Sequence, residues 1–161
     1  MQETNYQFED FLMAISEEHK DFALTVNEKL LQEGCKVKIG SSKTNLFSVK
    51  YIQGRKGVLN FTLRKKGLTV SIYARSFEQY SDVLNGLHAR VIDQIVKAPD
   101  CKNLIGPKKC SWAECIGYSI PIGDDLHQKC MYQCFQFSID IESIPSLLEL
   151  LESELKARQA A

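Results

Sequence analysis

The sequence predicts an α+β fold: a single domain on a mainly antiparallel sheet, formed by a four-stranded meander plus a C-terminal hairpin, with helices packed on one face. Three observations carry this. Apolar residues recur at three- and four-residue steps near both ends of the chain, the mark of helices with one buried stripe. Between Cys35 and Tyr73 the period switches to two, the mark of half-buried strands. The 161 residues, 44% hydrophobic and 25% charged, suit one core over residues 1–161 and exclude a disordered or fibrous composition.

The elements follow in order. From about Asn5 to Gln32, Phe8, Phe11, Leu12, Ile15, Phe22, Val26, Leu30 and Leu31 form a helical stripe, with His19 and Lys20 marking the expected break between two helices. Gly34 ends the run as a left-handed C-cap. Val37 and Ile39 then alternate with Lys36 and Lys38, and a second strand covers about Leu46 to Ile52. Leu59, Phe61 and Leu63 alternate with Asn60, Thr62 and Arg64, and Leu68, Val70 and Ile72 with Thr69, Ser71 and Tyr73. "RKKGLT" reads as a tight hairpin turn and "QGRKG" as a looser one.

Cys35 shares the parity of Val37 and Ile39 and reads as a small core residue. Ser76 stands where it would cap a helix holding Phe77, Tyr80, Val83 and Leu84, interrupted at Gly86. A second helix carries Val91, Ile92, Ile95 and Val96 up to Pro99. Tyr118, Ile120 and Ile122 before "GDD", with Phe135, Phe137 and Ile139 after it, read as the second hairpin. "SIPSLLELLESELKAR" closes as a capped amphipathic helix with Ile144, Leu147, Leu148, Leu151 and Leu155 on one face.

Formal net charge is zero, yet the charges are segregated. Residues 1–34 hold eight acidic and two basic side chains, whereas residues 35–75 hold ten basic ones and no acid. Strand alternation gathers part of that charge on the polar sheet face. Lys36, Lys38, Lys50 and Arg64 are therefore candidates to contact an anion, with Tyr73 placed to stack on a base. The plain alternative is a solvated face whose lysines blunt an edge.

Cysteine is the other signal. Cys101, Cys110, Cys115, Cys130 and Cys134 are spaced C-x8-C-x4-C-x14-C-x3-C, three of them in the aperiodic polar stretch "DCKNLIGPKKCSWAEC". The N-terminus shows no secretory signal and no run reaches the roughly twenty apolar residues of a membrane span, so a soluble cytoplasmic protein is expected, with no membrane partner. In a reducing compartment thiols stay free unless a metal or a catalytic cycle holds them. A structural zinc held by Cys101, Cys110, Cys115 and Cys130 is the leading reading. Four thiolates suit a tetrahedral ion, and metal binding would order a stretch that has no periodicity of its own. Buried bare thiols come next, and redox or disulfide chemistry last. Lys102, Lys108, Lys109 and Lys129 favour thiolates under either chemical reading. Cys134 and His127 are alternative ligands, and His127 beside a thiol is the single histidine candidate for a base. His19 reads as solvated or helix-packed, and His88 lies between helices. Trp112 reads as a plug within the cysteine stretch, while Tyr51, Tyr73 and Tyr118 read as partly exposed or pocket-lining.

"LHARVIDQIVKAPDC", "KKC" and "GYSIPIGDDLHQKCMYQCFQF" followed by an amphipathic helix resemble a family of small stand-alone bacterial proteins of unknown function, over roughly residues 57–155. The most specific element is "QKCMYQCFQF". The resemblance implies a single-domain bacterial cytoplasmic protein whose cysteines recur as a set, and it implies no reaction.

The glycines form neither a dinucleotide fingerprint nor a P-loop. Three classes of function remain, with binding ahead of catalysis. The first is a module for a small molecule or protein partner with a cysteine-ligated zinc, for which Lys50, Arg64, Tyr73, Trp112 and Tyr118 are the ligand-facing candidates. The second is an anion or nucleic-acid platform on the basic sheet face. The third is a thiol enzyme or redox sensor using Cys130 or Cys115.

Overall fold

The sheet owes its order to alternation. In the computed structural model, which describes residues 5–105, 117–131 and 133–160, five antiparallel strands run β1-β2-β3-β4-β7. They are β1 (Lys36–Gly40), β2 (Phe47–Gln53), β3 (Lys56–Arg64), β4 (Gly67–Ile72) and β7 (Gln136–Ser138). Val49, Tyr51, Leu59, Phe61 and Val70 are fully buried on one face, opposite a face of Lys, Ser, Asn and Thr. The chain divides into two compact units. One comprises Met1–Ile72 with Phe137–Ile144, the other Tyr73–Gln136 with Pro145–Ala161.

In the first unit, helices α1 (Phe8–Ala14) and α2 (Glu17–Gln32) cover the apolar sheet face. Phe11 and Phe22 place their rings 5.5 and 6.0 Å from Phe61, and the Tyr51 hydroxyl donates to Asn27 Oδ1 at 2.7 Å. The break between the helices falls at Ile15 and Ser16, both extended, rather than at His19 and Lys20. Ser16 followed by Glu17 and Glu18 is a helix-start signature, with acids placed at the positive end of the helix dipole. His19 instead lies inside α2, its Nε2 3.1 Å from the Ile139 carbonyl.

Helix α2 ends as expected. Gly34 takes φ 81°, Gly34 N–H donates to Leu31 and Cys35 N–H to Leu30, the paired bonds that close a helix on a left-handed residue. The β2–β3 and β3–β4 hairpins are both tight: Gln53 pairs with Lys56 and Arg64 with Gly67. The slack expected at "QGRKG" is taken up instead by a bulge, where the register slips between Tyr51↔Leu59 and Ile52↔Gly57.

The second unit contains a 3₁₀ segment (Phe77–Gly86), α3 (Ala89–Lys97), the short α4 (Lys102–Ile105), the hairpin β5 (Tyr118–Ile122) with β6 (Asp125–Lys129), and α5 (Ile144–Ala160), whose first residue belongs to the other unit. The second hairpin differs from the sequence reading. Gly123 at φ 61° makes a two-residue turn, so the partner of β5 is the polar run that follows at once, Ile122↔Asp125 through Tyr118↔Lys129. Phe137 lies instead on β7 of the main sheet. Phe135 packs with Phe77 and Tyr118 at ring separations of 5.2 and 5.1 Å.

Ser76 does not cap through its hydroxyl. His88 is the residue that caps: its Nδ1 accepts from Arg90 N–H at 3.2 Å at the start of α3, while its own N–H donates to Ser146 Oγ at 2.8 Å. Among the described residues no helix is long and apolar enough to cross a membrane.

Candidate functional site

Three groupings of chemically capable side chains emerge, and each is built by a different local device. The first is on the polar sheet face. Lys38 and Lys50 are direct cross-strand partners in the row Lys38↔Lys50↔Asn60↔Ser71, and Lys36 follows two residues along the same face of β1. Directly opposed residues have Cβ atoms about 4.5–5.5 Å apart, and like charges there repel. Lys36 and Lys38 are exposed and Lys50 half-buried. Among the described residues no carboxylate pairs with any of the three. Arg64 shares this face but stands two rows beyond Asn60, its Nε bonded to Asn45 Oδ1 at 2.9 Å. The sequence candidates Lys50 and Arg64 are thus on one face but not in one cluster.

The second grouping is the described part of the cysteine segment. A single antiparallel bridge, Asp100↔Lys129, adds Pro99–Cys101 alongside β6, with Cys101 N–H donating to Gln128 and Cys130 N–H to Pro99, both at 2.9 Å. Lys129 is buried, and its ammonium is held by the Ala98 carbonyl and Asp100 Oδ1, each at 2.9 Å. Cys101 and Cys130 flank this bridge, and within β6 His127 shares the parity of the buried Lys129. Gly117 closes over Cys101: a methyl group there would meet Cys101 Cβ at 2.5 Å, its Sγ at 2.6 Å and the Lys129 carbonyl at 2.6 Å.

Cys134 follows in a turn, its N–H bonded to Cys130 O at 2.9 Å, and is fully buried. Burial pushes its thiol up to about 12, with Lys129 opposing and Cys130 reinforcing the shift. Without a metal the thiol is therefore held protonated. Cys110, Cys115 and Trp112 lie outside the described residues. Among the described residues no group of three His, Cys, Asp or Glu side chains is placed to hold a metal ion.

The third grouping has no counterpart among the sequence candidates. Glu154 is fully buried in the apolar stripe of α5. Its Oε1 accepts from Ser76 N–H at 3.0 Å and from the Tyr80 hydroxyl at 2.7 Å, while its Oε2 accepts from Arg158 Nε at 2.6 Å. Arg158 Nη2 donates onward to the Tyr73 carbonyl at 2.9 Å. Burial, with the Glu154 charge and its hydrogen bond, drives the Tyr80 hydroxyl far above the usual tyrosine range. Spacing carries the signal that would have found it, since Glu154 is four residues after Leu150 and three after Leu151, both buried.

Two aromatic candidates are more enclosed than expected. Tyr51 is fully buried and Tyr118 is 8% exposed, and burial raises both hydroxyls. Tyr73 is half-buried. Comparison with protein-family models, with curated proteins and with solved structures yields no match, so no activity is carried over to this chain from a relative.

Proposed function

We propose that this chain is a binding module that takes an anionic partner on the corner of its sheet formed by Lys36, Lys38 and Lys50. One observation carries the reading. Two lysines are opposed across neighbouring strands with a third beside them, and no carboxylate among the described residues relieves their repulsion. A partner bearing negative charge relieves it. Binding rather than catalysis is supported by the state of the buried polar groups: both Glu154 oxygens are taken up by donors of the same chain, and the Cys134 thiol stays protonated. The test is fluorescence anisotropy of labelled poly-glutamate against the whole protein. Binding at low ionic strength that fades as salt shortens the screening length to about 10 Å near 0.1 M is the expected result. Loss of that binding in Lys36→Glu/Lys38→Glu is also expected, and no binding at low salt would end the reading.

A second proposal concerns the cofactor. A structural zinc held by Cys101, Cys110, Cys115 and Cys130 draws support from the Asp100↔Lys129 bridge, which brings the backbone segments of Cys101 and Cys130 side by side. Metal analysis of the purified protein checks this. About one equivalent of zinc, lost in Cys101→Ser, is expected, and less than about half an equivalent would remove the proposal.

A further inference from the structure

We infer that the anionic partner is an extended peptide segment, alternating acidic and apolar residues, that adds to the sheet as a strand beside β1. The inference rests on the anionic-partner reading above and goes further by naming the partner's chemistry and its mode of attachment. Among the described residues strand β1 is an edge over Lys36–Gly40. Among the described residues it pairs with β2 alone, and no hydrogen bond from outside that ladder reaches Lys36–Gly40. Over Lys36–Gly40 the outer side of β1 has backbone donors and acceptors that no described residue takes up, with the spacing that another strand requires.

The two faces of β1 then specify what should be added. On the polar face, Lys36 and Lys38 are exposed at successive positions of one pleat. On the apolar face, Val37 and Ile39 remain half-covered, whereas Val49, Tyr51, Leu59, Phe61 and Val70 on the strands behind them are wholly buried. The core thus stops one strand short at this edge. An incoming strand with carboxylates at every second residue would set them opposite Lys36 and Lys38, and its intervening apolar side chains would extend the cover over Val37 and Ile39.

A nucleic acid fits these features less well. Among the described residues no polar-face position of β1–β4 holds an aromatic ring on which a base could stack, and Tyr73, which follows β4, is half-buried. Phosphates also make no use of half-covered Val37 and Ile39.

The experiment uses the whole protein with labelled Ac-Glu-Val-Glu-Val-Glu-Val-Glu-amide, the same peptide N-methylated at alternate backbone nitrogens, poly-glutamate and a single-stranded oligonucleotide. The peptide is expected to bind, and N-methylation to weaken it by about tenfold, as the loss of a few strand hydrogen bonds with charge unchanged predicts. Ile39→Ser should weaken the peptide but leave poly-glutamate unaffected, with the circular-dichroism spectrum confirming that the variant is folded. Equal binding of parent and N-methylated peptides overturns strand addition while leaving the anionic reading intact. Tighter binding of the oligonucleotide than of the peptide overturns the choice of partner. Failure of every anionic probe at low salt removes both readings together.

Discussion

Charge is handled in opposite ways at Glu154 and at the β1 corner. Glu154 is wholly buried, and every bond its carboxylate makes comes from within its own unit: Ser76, Tyr80 and Arg158. Lys36, Lys38 and Lys50 share one sign, with Lys36 and Lys38 exposed and Lys50 half-buried, and have no carboxylate partner among the described residues. A charge compensated internally serves the fold, because removing any member leaves the others desolvated and unpaired. A cluster left uncompensated costs the fold a little and is available to something else. The difference separates structural from functional charge without reference to any relative, and it makes opposite predictions for the two regions.

The largest effect should come from breaking the internal network. Glu154→Ala leaves Arg158 and Tyr80 facing a hole, and a cost of about 3–5 kcal/mol is expected in guanidinium denaturation. Poly-glutamate binding should persist wherever the variant is still folded. A cost below about 1 kcal/mol would show that the network is not the fastening described.

Alkaline pH sharpens the contrast from the cysteine side. In the unfolded chain the Cys134 thiol titrates near its ordinary 9.0, and in the folded protein at about 12. The folded state thus retains a proton that the unfolded state has lost, so its contribution is complete below pH 9 and declines as pH rises toward 12. Relative to Cys134→Ala, the parent should lose an additional stability of about 2–3 kcal/mol by about pH 11. Equal alkaline slopes for the two proteins would refute the burial argument. At neutral pH an alkylating reagent should modify half-exposed Cys130 before Cys134.

Gly117 tests how tightly the cysteine bridge is closed. Its substitution by Ala drives a methyl group into Cys101 and the Lys129 carbonyl, and the backbone oxygen cannot swing aside. A loss of about 1–3 kcal/mol in thermal or denaturant unfolding is expected. An unaffected Gly117→Ala would mean that this approach is looser than drawn.

What could be read in advance follows from the kind of signal each element leaves. The meander announces itself because Val49, Tyr51, Leu59, Phe61 and Val70 alternate with polar residues except at Ile52 and Val58 beside the bulge, and Gly34 ends α2 because a left-handed residue is required there. The lysine corner is legible for the same reason, since alternation assigns Lys36, Lys38 and Lys50 to one face; their cross-strand contact depends on the register. Strand β6 is hidden because Asp125–Lys129 carries no apolar alternation, and only the tight Gly123 turn makes it the partner of β5. Phe137 points correctly to a strand, but pairing with β4 is a long-range choice that local spacing does not encode. Glu154 is hard to read from sequence because a charged residue in a leucine-rich helix ordinarily belongs to the wet side. Its partners Ser76 and Tyr80 are more than seventy residues away in sequence.

The smallest effect has the opposite sign. If the repulsion between Lys38 and Lys50 is uncompensated, Lys38→Gln should stabilise the folded protein, by about 0.2–1 kcal/mol at low ionic strength, with the gain shrinking as salt is added. The same substitution should weaken poly-glutamate and the acidic strand peptide, because it removes one of the two exposed ammonium groups on β1. Stability and binding then move in opposite directions at one residue, which a merely solubilising lysine does not do. A chemical-denaturation midpoint that falls in Lys38→Gln, or peptide binding that survives it unchanged, would place Lys38 among ordinary surface charges and dissolve the contrast with Glu154.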